Sequence, residues 1–547
     1  MRKNEKLPKK RRTKAITQNE AAFKMKLSAK FEVSKCVKSD IVIPSIVDDD
    51  DMNYFSSQFS QLSTNSEKNS DSAYYEPPRK RQKLKVCGDN LASTLDRCGI
   101  SDHQAALILN ARAIDLGEKV KKIATVRSSV RRRRISSRIR QSQRLRNIPF
   151  TPLTVHWDGK SVKNKDDNSR IELLPIVLSS GNDTQLLHCA LLRQGTGVEI
   201  SDAIFESLQS WNSNIISMCY NTTSTNTGCR VGACTSLELK LNKNLLNASC
   251  RHHIAELVLG AAFDHCFPET STSPEIKMLK NFSDSWSKID KKIYNSALDD
   301  KDKYSKLIEK KKNEVLFFIQ QCLSLKKQPR KDYDELLQLS LIFLGQGRKR
   351  FRKPGAYHKA RWLMKAIYIV KMYIFRNQLS KQLSVEELIN LRTMATFIVL
   401  VYVPYWFKTR LPLEAAVSDI KLLQDIQEFK RYDNKLSEIV QNKFSRHLWY
   451  LSKELVCISL FNDNVDISEK RKMIENLKIN DKGDRELKAK LEKKNLKNLS
   501  LSDFVTEKSI NFFHITGISQ TFLTLDPSKW AKNKNYIDGQ KLCKNLQ

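Results

Sequence analysis

Short apolar runs separated by turn residues dominate the chain after residue 150. Leu153–Trp157, Ile171–Leu178, Leu186–Leu192 and Ile215–Tyr220 are each rich in β-branched, aromatic or leucine side chains. Runs of this length and composition predict four buried strands. Asn247–Cys250 predicts a short fifth strand.

Helical patterns lie between the later strands. The stretches 201–211, 232–246 and 253–263 carry apolar residues at helical spacing. The predicted order is therefore β-β-β-α-β-α-β-α, which is the order of a ribonuclease-H-like core. Three successive strands should form an antiparallel meander, and strands separated by helices should lie parallel. The sequence thus predicts an α/β core with a mixed sheet.

Helical periodicity continues on both sides of this core. Residues 91–147 are predicted to be helical, with Ser101 as an N-cap, a helix over Gln104–Leu116 and an end at Gly117. Residues 271–440 predict a large all-helical insertion that interrupts the core. The apolar stretch Met394–Phe407 is too short to span a bilayer and contains a proline, so it predicts a buried helix and no membrane association.

Charge narrows the class of partner. The 547 residues include 95 Lys and Arg against 60 Asp and Glu, a formal net charge of +35. Such an excess implies a polyanionic partner; nucleic acid is the first candidate and an anionic membrane surface the second. No apolar run follows the basic Met1–Lys14 segment, which argues against a secretory signal. The twelve cysteines contain no Cys-x-x-Cys pair, so we expect reduced thiols and no zinc ribbon.

Residues 1–90 are polar and rich in Lys, Ser, Asn and Asp, which predicts a disordered basic tail. Lys9–Arg12 and Arg79–Lys83 both follow proline and are typical of nuclear localisation signals. The alternative is a solvated charge run. We expect the protein in the nucleus.

A second basic region lies in the predicted helical segment 91–147. Its charge is almost all guanidinium, which suits bidentate contact with phosphate. The candidate nucleic-acid-binding residues there are Arg131, Arg132, Arg133, Arg134, Arg138 and Arg140. The alternative is a flexible basic linker.

Three positions are candidates for catalysis by two metal ions. Asp158 follows the first strand and precedes Gly159, Asn221 follows the fourth strand, and Glu454 lies on a predicted helix after the insertion. Carboxylates supply the charge and the bridging oxygens that a pair of Mg²⁺ or Mn²⁺ ions requires. Taken singly, Asp158 also fits a β-turn, Asn221 a polar loop and Glu454 an exposed helix face. Glu256 and Asp264 are rivals for the third position.

The segment Cys250–His253 contains two adjacent histidines. Adjacent side chains point to different faces of a helix, so a shared zinc ion is disfavoured. The sequence predicts either structural hydrogen bonds or phosphate contact by Arg251 and His252.

Residues 150–465 resemble DDE transposases with a ribonuclease-H-like core and a helical insertion, most nearly the hAT-like group. The order of several segments carries this resemblance: Trp157–Lys160, Asn221–Gly228, Gly232–Cys234, Cys250–Ile254, Pro354–Ala356, Ala360–Trp362 and Trp449–Glu454.

The resemblance implies a metal-dependent DNA strand cleavage and transfer site. Asp158 and Glu454 would be its metal-binding carboxylates, and Asn221 stands where the family has Asp. A neutral side chain there predicts impaired activity. The family often carries an N-terminal zinc finger, and this sequence has none. We also expect a homo-oligomer and no small-molecule cofactor.

The predicted organisation has six parts. These are a disordered tail (1–90), an Arg-rich helical region (91–147), the core (150–270), the helical insertion (271–440), a closing helix (441–477) and a Lys-rich linker and tail (478–547). Two other functions stay open. One is a non-catalytic, domesticated DNA-binding or assembly protein, favoured by Asn221. The other is an RNA-binding nuclear factor, disfavoured because no RGG repeats or RRM-like aromatic signature occur.

Overall fold

The computed structural model is mostly helical and contains one small mixed sheet. It describes residues 87–117, 126–146, 153–163, 170–181, 183–209, 215–268, 276–324, 328–347, 351–357, 363–409, 411–478 and 496–546. Residues 1–86 of the predicted tail, with both basic clusters, and most of the Lys-rich stretch that precedes residue 496 lie outside these ranges. The predicted tail ends too late, because the first helix already begins at Asp89.

Three helices form a unit with its own apolar core. They are α1 (Asp89–Arg97), α2 (Asp102–Asp115) and α3 (Arg127–Arg146). The predicted N-cap is confirmed, since the Ser101 hydroxyl accepts a hydrogen bond from the backbone N–H of Gln104 at 3.2 Å. Their small core is separate from the rest and contains Cys87, Ala92, Leu95, Ala105, Ala106, Leu109 and Val130.

Six strands form the sheet. They are β1 (Leu153–Trp157), β2 (Lys160–Lys163), β3 (Arg170–Ser180), β4 (Asp183–Leu192), β5 (Ile215–Cys219) and β6 (Leu246–Asn247). The order of strands across the sheet is β2-β3-β1-β5-β6, and β4 pairs with the other edge of β3. Since β1 and β2 pair with successive parts of β3, they act as one strand interrupted at Asp158 and Gly159.

The predicted directions of the strands are confirmed. β3 pairs antiparallel with both β1 and β4, whereas β1–β5 and β5–β6 are parallel pairs. Two details differ from the prediction. β2 was not expected, and β6 covers only two residues, ending where the predicted fifth strand began.

Four helices accompany these strands: α4 (Gly197–Gln209), the single turn α5 (Ser224–Thr227), α6 (Ala233–Leu241) and α7 (Arg251–Cys266). Residues of β5 serve two different cores. Ile215 and Met218 belong to the cluster with α4 and α6, whereas Ile216 belongs to the cluster with α7. Ile215 and Met218 share a face although they are three positions apart, because the register of the β1–β5 pair shifts by one residue between them. The sheet is therefore covered on both faces.

The remaining helices follow α7 in the chain. They are α8 (Lys277–Ser285), α9 (Ser305–Ser324), α10 (Lys331–Phe343), α11 (Met364–Ile374), α12 (Arg376–Leu379), α13 (Val385–Phe397), α14 (Val403–Lys408), α15 (Pro412–Phe429), α16 (Asn434–Phe444), α17 (Ile467–Asn476), α18 (Asn511–Thr516) and α19 (Lys534–Asn545). α8 to α15 lie within the predicted insertion, and α16 extends beyond its predicted end at residue 440.

Helices α13 and α14 form one continuous rod, Val385–Lys408, joined by a π-helical turn at Ile398–Tyr402. A proline at position 404 would clash with the carbonyl of Leu400 in a regular α-helix, and the wider π turn relieves that clash. Within the described chain this is the one helix long and apolar enough to cross a membrane. Its most apolar window is 78% buried inside the protein, as the sequence predicted for a core helix.

The predicted closing helix over 441–477 is wrong. α16 ends at Phe444, and three 3-10 segments follow at Ser445–His447, Trp449–Leu451 and Leu455–Phe461 before α17 begins. All seven side chains of Leu455–Phe461 are buried. A segment surrounded by protein on every side has no single apolar stripe, which is the feature that helical periodicity reads.

The predicted tail is folded from residue 496 onward. Short 3-10 helices at Leu496–Asn498, Leu501–Phe504, Glu507–Ile510, Thr521–Thr524 and Pro527–Lys532 alternate with α18 and α19. Their aromatic side chains surround one buried ring of the preceding segment; the cluster contains Phe461, Phe512, Phe513, Phe522, Trp530 and Tyr536. Residues 496–546 therefore belong to the main helical core and not to a linker.

Candidate functional site

Two of the three predicted site residues meet at one edge of the sheet. β1 and β5 are neighbouring parallel strands, with His156 opposite Cys219, so their carboxyl ends leave the sheet together. The Asn221 side chain, two residues beyond β5, donates a hydrogen bond from Nδ2 to Oδ1 of Asp158 at 2.8 Å. The geometry expected from parallel strands is therefore present at these two positions.

The orientation of the Asn221 amide is set by three donors around its oxygen. Oδ1 accepts from the Thr223 hydroxyl at 2.7 Å, from the Thr223 backbone N–H at 3.2 Å and from Nδ2 of Asn226 at 2.9 Å. Turning the amide over would place its NH₂ group against those three donors. The NH₂ group is thereby directed toward Asp158.

Asn226 is buried and ties both strand ends together. Its Oδ1 accepts from the indole N–H of Trp157 at 2.9 Å, and its Nδ2 also donates to the backbone carbonyl of Asn221 at 3.0 Å. The Trp157 ring stacks on Tyr220 at 5.3 Å between centroids. A Cβ on Gly232 would lie 2.4 Å from the Gly228 carbonyl oxygen, so the loop closes too tightly there for a side chain. These contacts fix the conformation of the loop that follows β5.

Glu454, the third predicted site residue, lies in a turn between two 3-10 helices. Burial raises the pKa of Glu238 in α6, and the negative charge of the Glu454 carboxylate raises it further. The segment itself does approach the sheet edge, because Trp449 packs edge-on against Tyr220 at 6.4 Å.

The two rival carboxylates serve other purposes. Glu256 accepts from the Leu363 backbone N–H at 2.8 Å and from the Tyr402 hydroxyl at 2.9 Å, which joins α7 to the insertion. Asp264 is exposed and pairs with Lys365 at 3.5 Å. Neither shares a contact with Asp158 in the regions described.

Asn221 removes one ligand that a two-metal centre would need. Its NH₂ group points at Asp158, where a cation would require an oxygen. No group of three or more His, Cys, Asp or Glu within the described ranges is arranged to hold a metal ion. The predicted Mg²⁺ or Mn²⁺ ligand pair of Asp158 and Glu454 stays a prediction.

Two thiols lie next to this pair. Cys250 precedes α7, and its backbone N–H donates to the Tyr220 carbonyl at 2.9 Å. The Cys219 thiol donates to the Cys250 sulfur, which lowers the pKa of Cys250 to about 7 and raises that of Cys219. Burial lowers the pKa of His253, an effect that the nearby Asp158 carboxylate opposes. Sequence reasoning missed the thiol pair, because the two cysteines are 31 residues apart (250 − 219).

Arg251 is a structural residue, which corrects the prediction of phosphate contact. Its guanidinium is buried against the Asp419 carboxylate and the Tyr405 hydroxyl, and it donates to the His447 carbonyl at 3.2 Å. Its charge also lies over the ring of Tyr450, at 5.0 Å from the centroid. A group enclosed in this way has no surface to offer a nucleic acid.

The prediction of phosphate contact is also corrected for His252. Its ring stacks on the Trp406 indole at 4.0 Å between centroids, and its Nε2 lies 3.1 Å from the Trp406 carbonyl oxygen. The structure therefore favours the structural alternative that the sequence left open for the Cys250–His253 segment.

The arginines of α3 divide into two groups. Arg134 and Arg138 both donate to Asp96 at 2.7 Å, and Arg140 pairs with Asp89 at 2.5 Å. These three hold α3 to α1. Arg134 is buried and has no surface for a phosphate, which corrects the prediction for it, whereas the prediction for the more exposed Arg138 and Arg140 stays a prediction. Arg131 and Arg132 are exposed, and Arg133 is half-buried.

The structure is therefore that of a mostly helical protein with a small mixed sheet. The Asn221 amide and the Asp158 carboxylate form a hydrogen-bonded pair at the edge of that sheet. No protein-family model matches the chain, and no curated protein matches it significantly.

Proposed function

We propose that the sheet and its helices form a ribonuclease-H-like core of the DDE transposase type. The support is topological. Antiparallel β4, β3 and β1 are followed by parallel β5 and β6, and helices separate the last three strands in sequence. Asp158 and Asn221 then follow the first and fourth strands of that order, with β1 and β2 counted as one.

The proposed function is that of a transposase-like nuclear DNA-binding protein whose strand cleavage is impaired. The hydrogen bond from Asn221 to Asp158 carries this conclusion. An active site of this type needs two facing carboxylates to hold its cations, and an amide donor in place of one of them removes both a charge and a ligand. This observation favours the non-catalytic, domesticated form of the protein.

DNA as the partner is supported by the net charge of +35, and nuclear location by the two basic clusters of the N-terminal segment. Self-association is part of the proposal because transposases of this type, which the sequence resembles, act as oligomers. A small-molecule cofactor has no place in it.

Cleavage of supercoiled plasmid DNA with Mn²⁺ tests the proposal. Wild type, Asn221→Asp and Asn221→Asp/Asp158→Ala are compared, with Asn244→Asp as a matched control because Asn244 is exposed and the charge change is the same. The proposal predicts an inactive wild type, cleavage by Asn221→Asp, and loss of that cleavage in the double variant. Cleavage by wild type, or cleavage by Asn221→Asp that survives in the double variant, would overturn it.

A further inference from the structure

Helix α3 has two chemically different faces. It contains nine arginines and no acidic residue in 20 positions. One face is neutralised from within the unit, since Arg134, Arg138 and Arg140 are paired with carboxylates of α1 and α2. On the same side, Gln141 donates to the Ser93 hydroxyl at 2.7 Å. This inward face is committed to the fold.

The opposite face keeps its charge. Arg127, Arg131 and Arg132 are exposed, and no carboxylate among the described residues forms an ion pair with them. Residues 127, 131, 135 and 139 follow one another at four-residue spacing and so form one stripe along the helix. Ile135 and Ile139, at 43% and 52% exposure, continue this stripe beyond the two arginines. The outward face therefore combines guanidinium groups with exposed methyl groups.

The unit holds this face rigid. α1 and α2 are joined by a four-residue turn in which Gly99 adopts a φ of +64°, a conformation that favours glycine. Val130 of α3 is fully buried against the apolar residues of the other two helices. A helix fixed in this way binds a ligand without the cost of ordering it first.

We propose that the outward face of α3 binds in the major groove of duplex DNA, with Arg127, Arg131 and Arg132 on base edges and phosphates. A helix is about 10–12 Å across with its side chains, and the major groove of B-form DNA is about 12 Å wide. Arginine forms bidentate pairs with guanine, and apolar side chains contact the thymine methyl group. The narrow major groove of A-form RNA excludes a helix.

This inference rests on the proposed function only for the identity of the polyanion as DNA. The test measures binding of the full chain to a mixed-sequence DNA duplex, an RNA duplex and single-stranded DNA by fluorescence anisotropy. The variant is Arg127→Gln/Arg131→Gln/Arg132→Gln. The matched control is Lys288→Gln/Lys292→Gln/Lys301→Gln, which removes the same charge from three exposed positions elsewhere.

We expect wild type to prefer the DNA duplex and the arginine variant to bind it roughly 10- to 100-fold more weakly, with an unchanged melting temperature. The slope of log K against log salt should fall by at most about 2.7, since roughly 0.9 counterion is released per phosphate contact and an arginine on a base edge releases fewer. The control should stay within about twofold of wild type, since a distant surface charge adds little.

Three results would overturn the proposal, each in a different part. A wild type that binds no DNA overturns the proposed function and this inference together. A wild type that binds the DNA duplex, with an arginine variant that binds equally well or that weakens only as much as the lysine control, overturns the role of α3 alone. Equal binding to the RNA duplex and to DNA overturns the assignment to the major groove.

Discussion

The side-chain amide of Asn221 donates a hydrogen bond to the carboxylate of Asp158 over 2.8 Å. The two residues are 63 positions apart in sequence and meet because β1 and β5 run parallel side by side. The contact is a satisfied neutral–anionic pair, with the amide oxygen held by Thr223 and Asn226. The pair is therefore satisfied by its own hydrogen bonds, with the amide supplying a donor but no charge.

Replacing Asn221 by Asp should make the protein metal-responsive. The change removes a donor and sets two carboxylates face to face, which should lower the free energy of unfolding by about 1–3 kcal/mol in EDTA. Excess Mn²⁺ should recover that loss, whereas the melting temperature of wild type should not respond to Mn²⁺. Differential scanning calorimetry with and without the metal measures both.

The exposed replacement Asn244→Asp controls for charge in this experiment. It should neither lower stability in EDTA nor respond to Mn²⁺. If Asn221→Asp melts like wild type in EDTA, the hydrogen bond to Asp158 contributes nothing to stability.

Asn226→Asp separates the two functions of the buried Asn226 side chain. Aspartate still offers an oxygen to the Trp157 indole, but it loses the Nδ2 donor to Asn221 and faces that residue's oxygens with a charge. We expect a loss of about 1–3 kcal/mol in the free energy of unfolding, the usual cost of an unmade buried hydrogen bond. Urea unfolding at neutral pH measures it, and Asn244→Asp is again the comparison. Equal stability of the two variants would contradict the tie that Asn226 provides.

The strands and the Asp158–Asn221 pair could be predicted from the sequence for the same reason. Buried strands are short apolar runs, and a parallel pair brings its carboxyl ends together whatever the loops between them do. Glu454 could not be placed, because the buried 3-10 segment that follows it has no helical stripe. The brief β6 was predicted to start one residue too late and to end three residues too late, because two residues carry almost no pattern.

The roles of the arginines could not be separated from sequence alone. Arg131 and Arg134 are identical in type and three residues apart, yet one is exposed and the other is 7% exposed. The difference depends on Asp96, which is 38 residues from Arg134 in sequence and is brought close only by the packing of α1 on α3. Arg251 similarly depends on Asp419, 168 residues away.

The buried pair of Arg251 and Asp419 yields a prediction about stability. Burial raises the pKa of Asp419 to about 7, although Arg251 opposes that shift. Arg251→Met should therefore cost about 3–5 kcal/mol, since it leaves an unpartnered carboxyl group in the core. The double variant Arg251→Met/Asp419→Leu should be more stable than either single variant, as measured by urea unfolding.

DNA affinity separates this structural role from a phosphate contact. At a temperature where Arg251→Met/Asp419→Leu is folded, its affinity for a DNA duplex should stay within about twofold of wild type. A large loss of affinity in that folded double variant would restore Arg251 as a DNA contact.

The three-helix unit should loosen in acid because of Asp96. Hydrogen bonds from Arg138 and Arg134 lower the pKa of Asp96 to about 2, against a partial opposing effect of burial. A folded-state pKa below the unfolded value gives stability that is complete above about pH 4 and is lost as the pH falls toward 2. Linkage sets an upper limit of about 2.5 kcal/mol, and the exposure of Arg138 reduces the expected contribution to about 1 kcal/mol.

Hydrogen exchange of α1 amides, measured by mass spectrometry in the full chain, should show roughly fivefold less protection in Asp96→Asn than in wild type at pH 5. The difference should shrink at pH 3, where wild type has also begun to lose the charge. Asp115→Asn, an exposed change on α2, should match wild type at both values. A deficit in Asp96→Asn that is the same at pH 5 and pH 3 would mean that the size or shape of the side chain, and not its charge, holds α1 to α3.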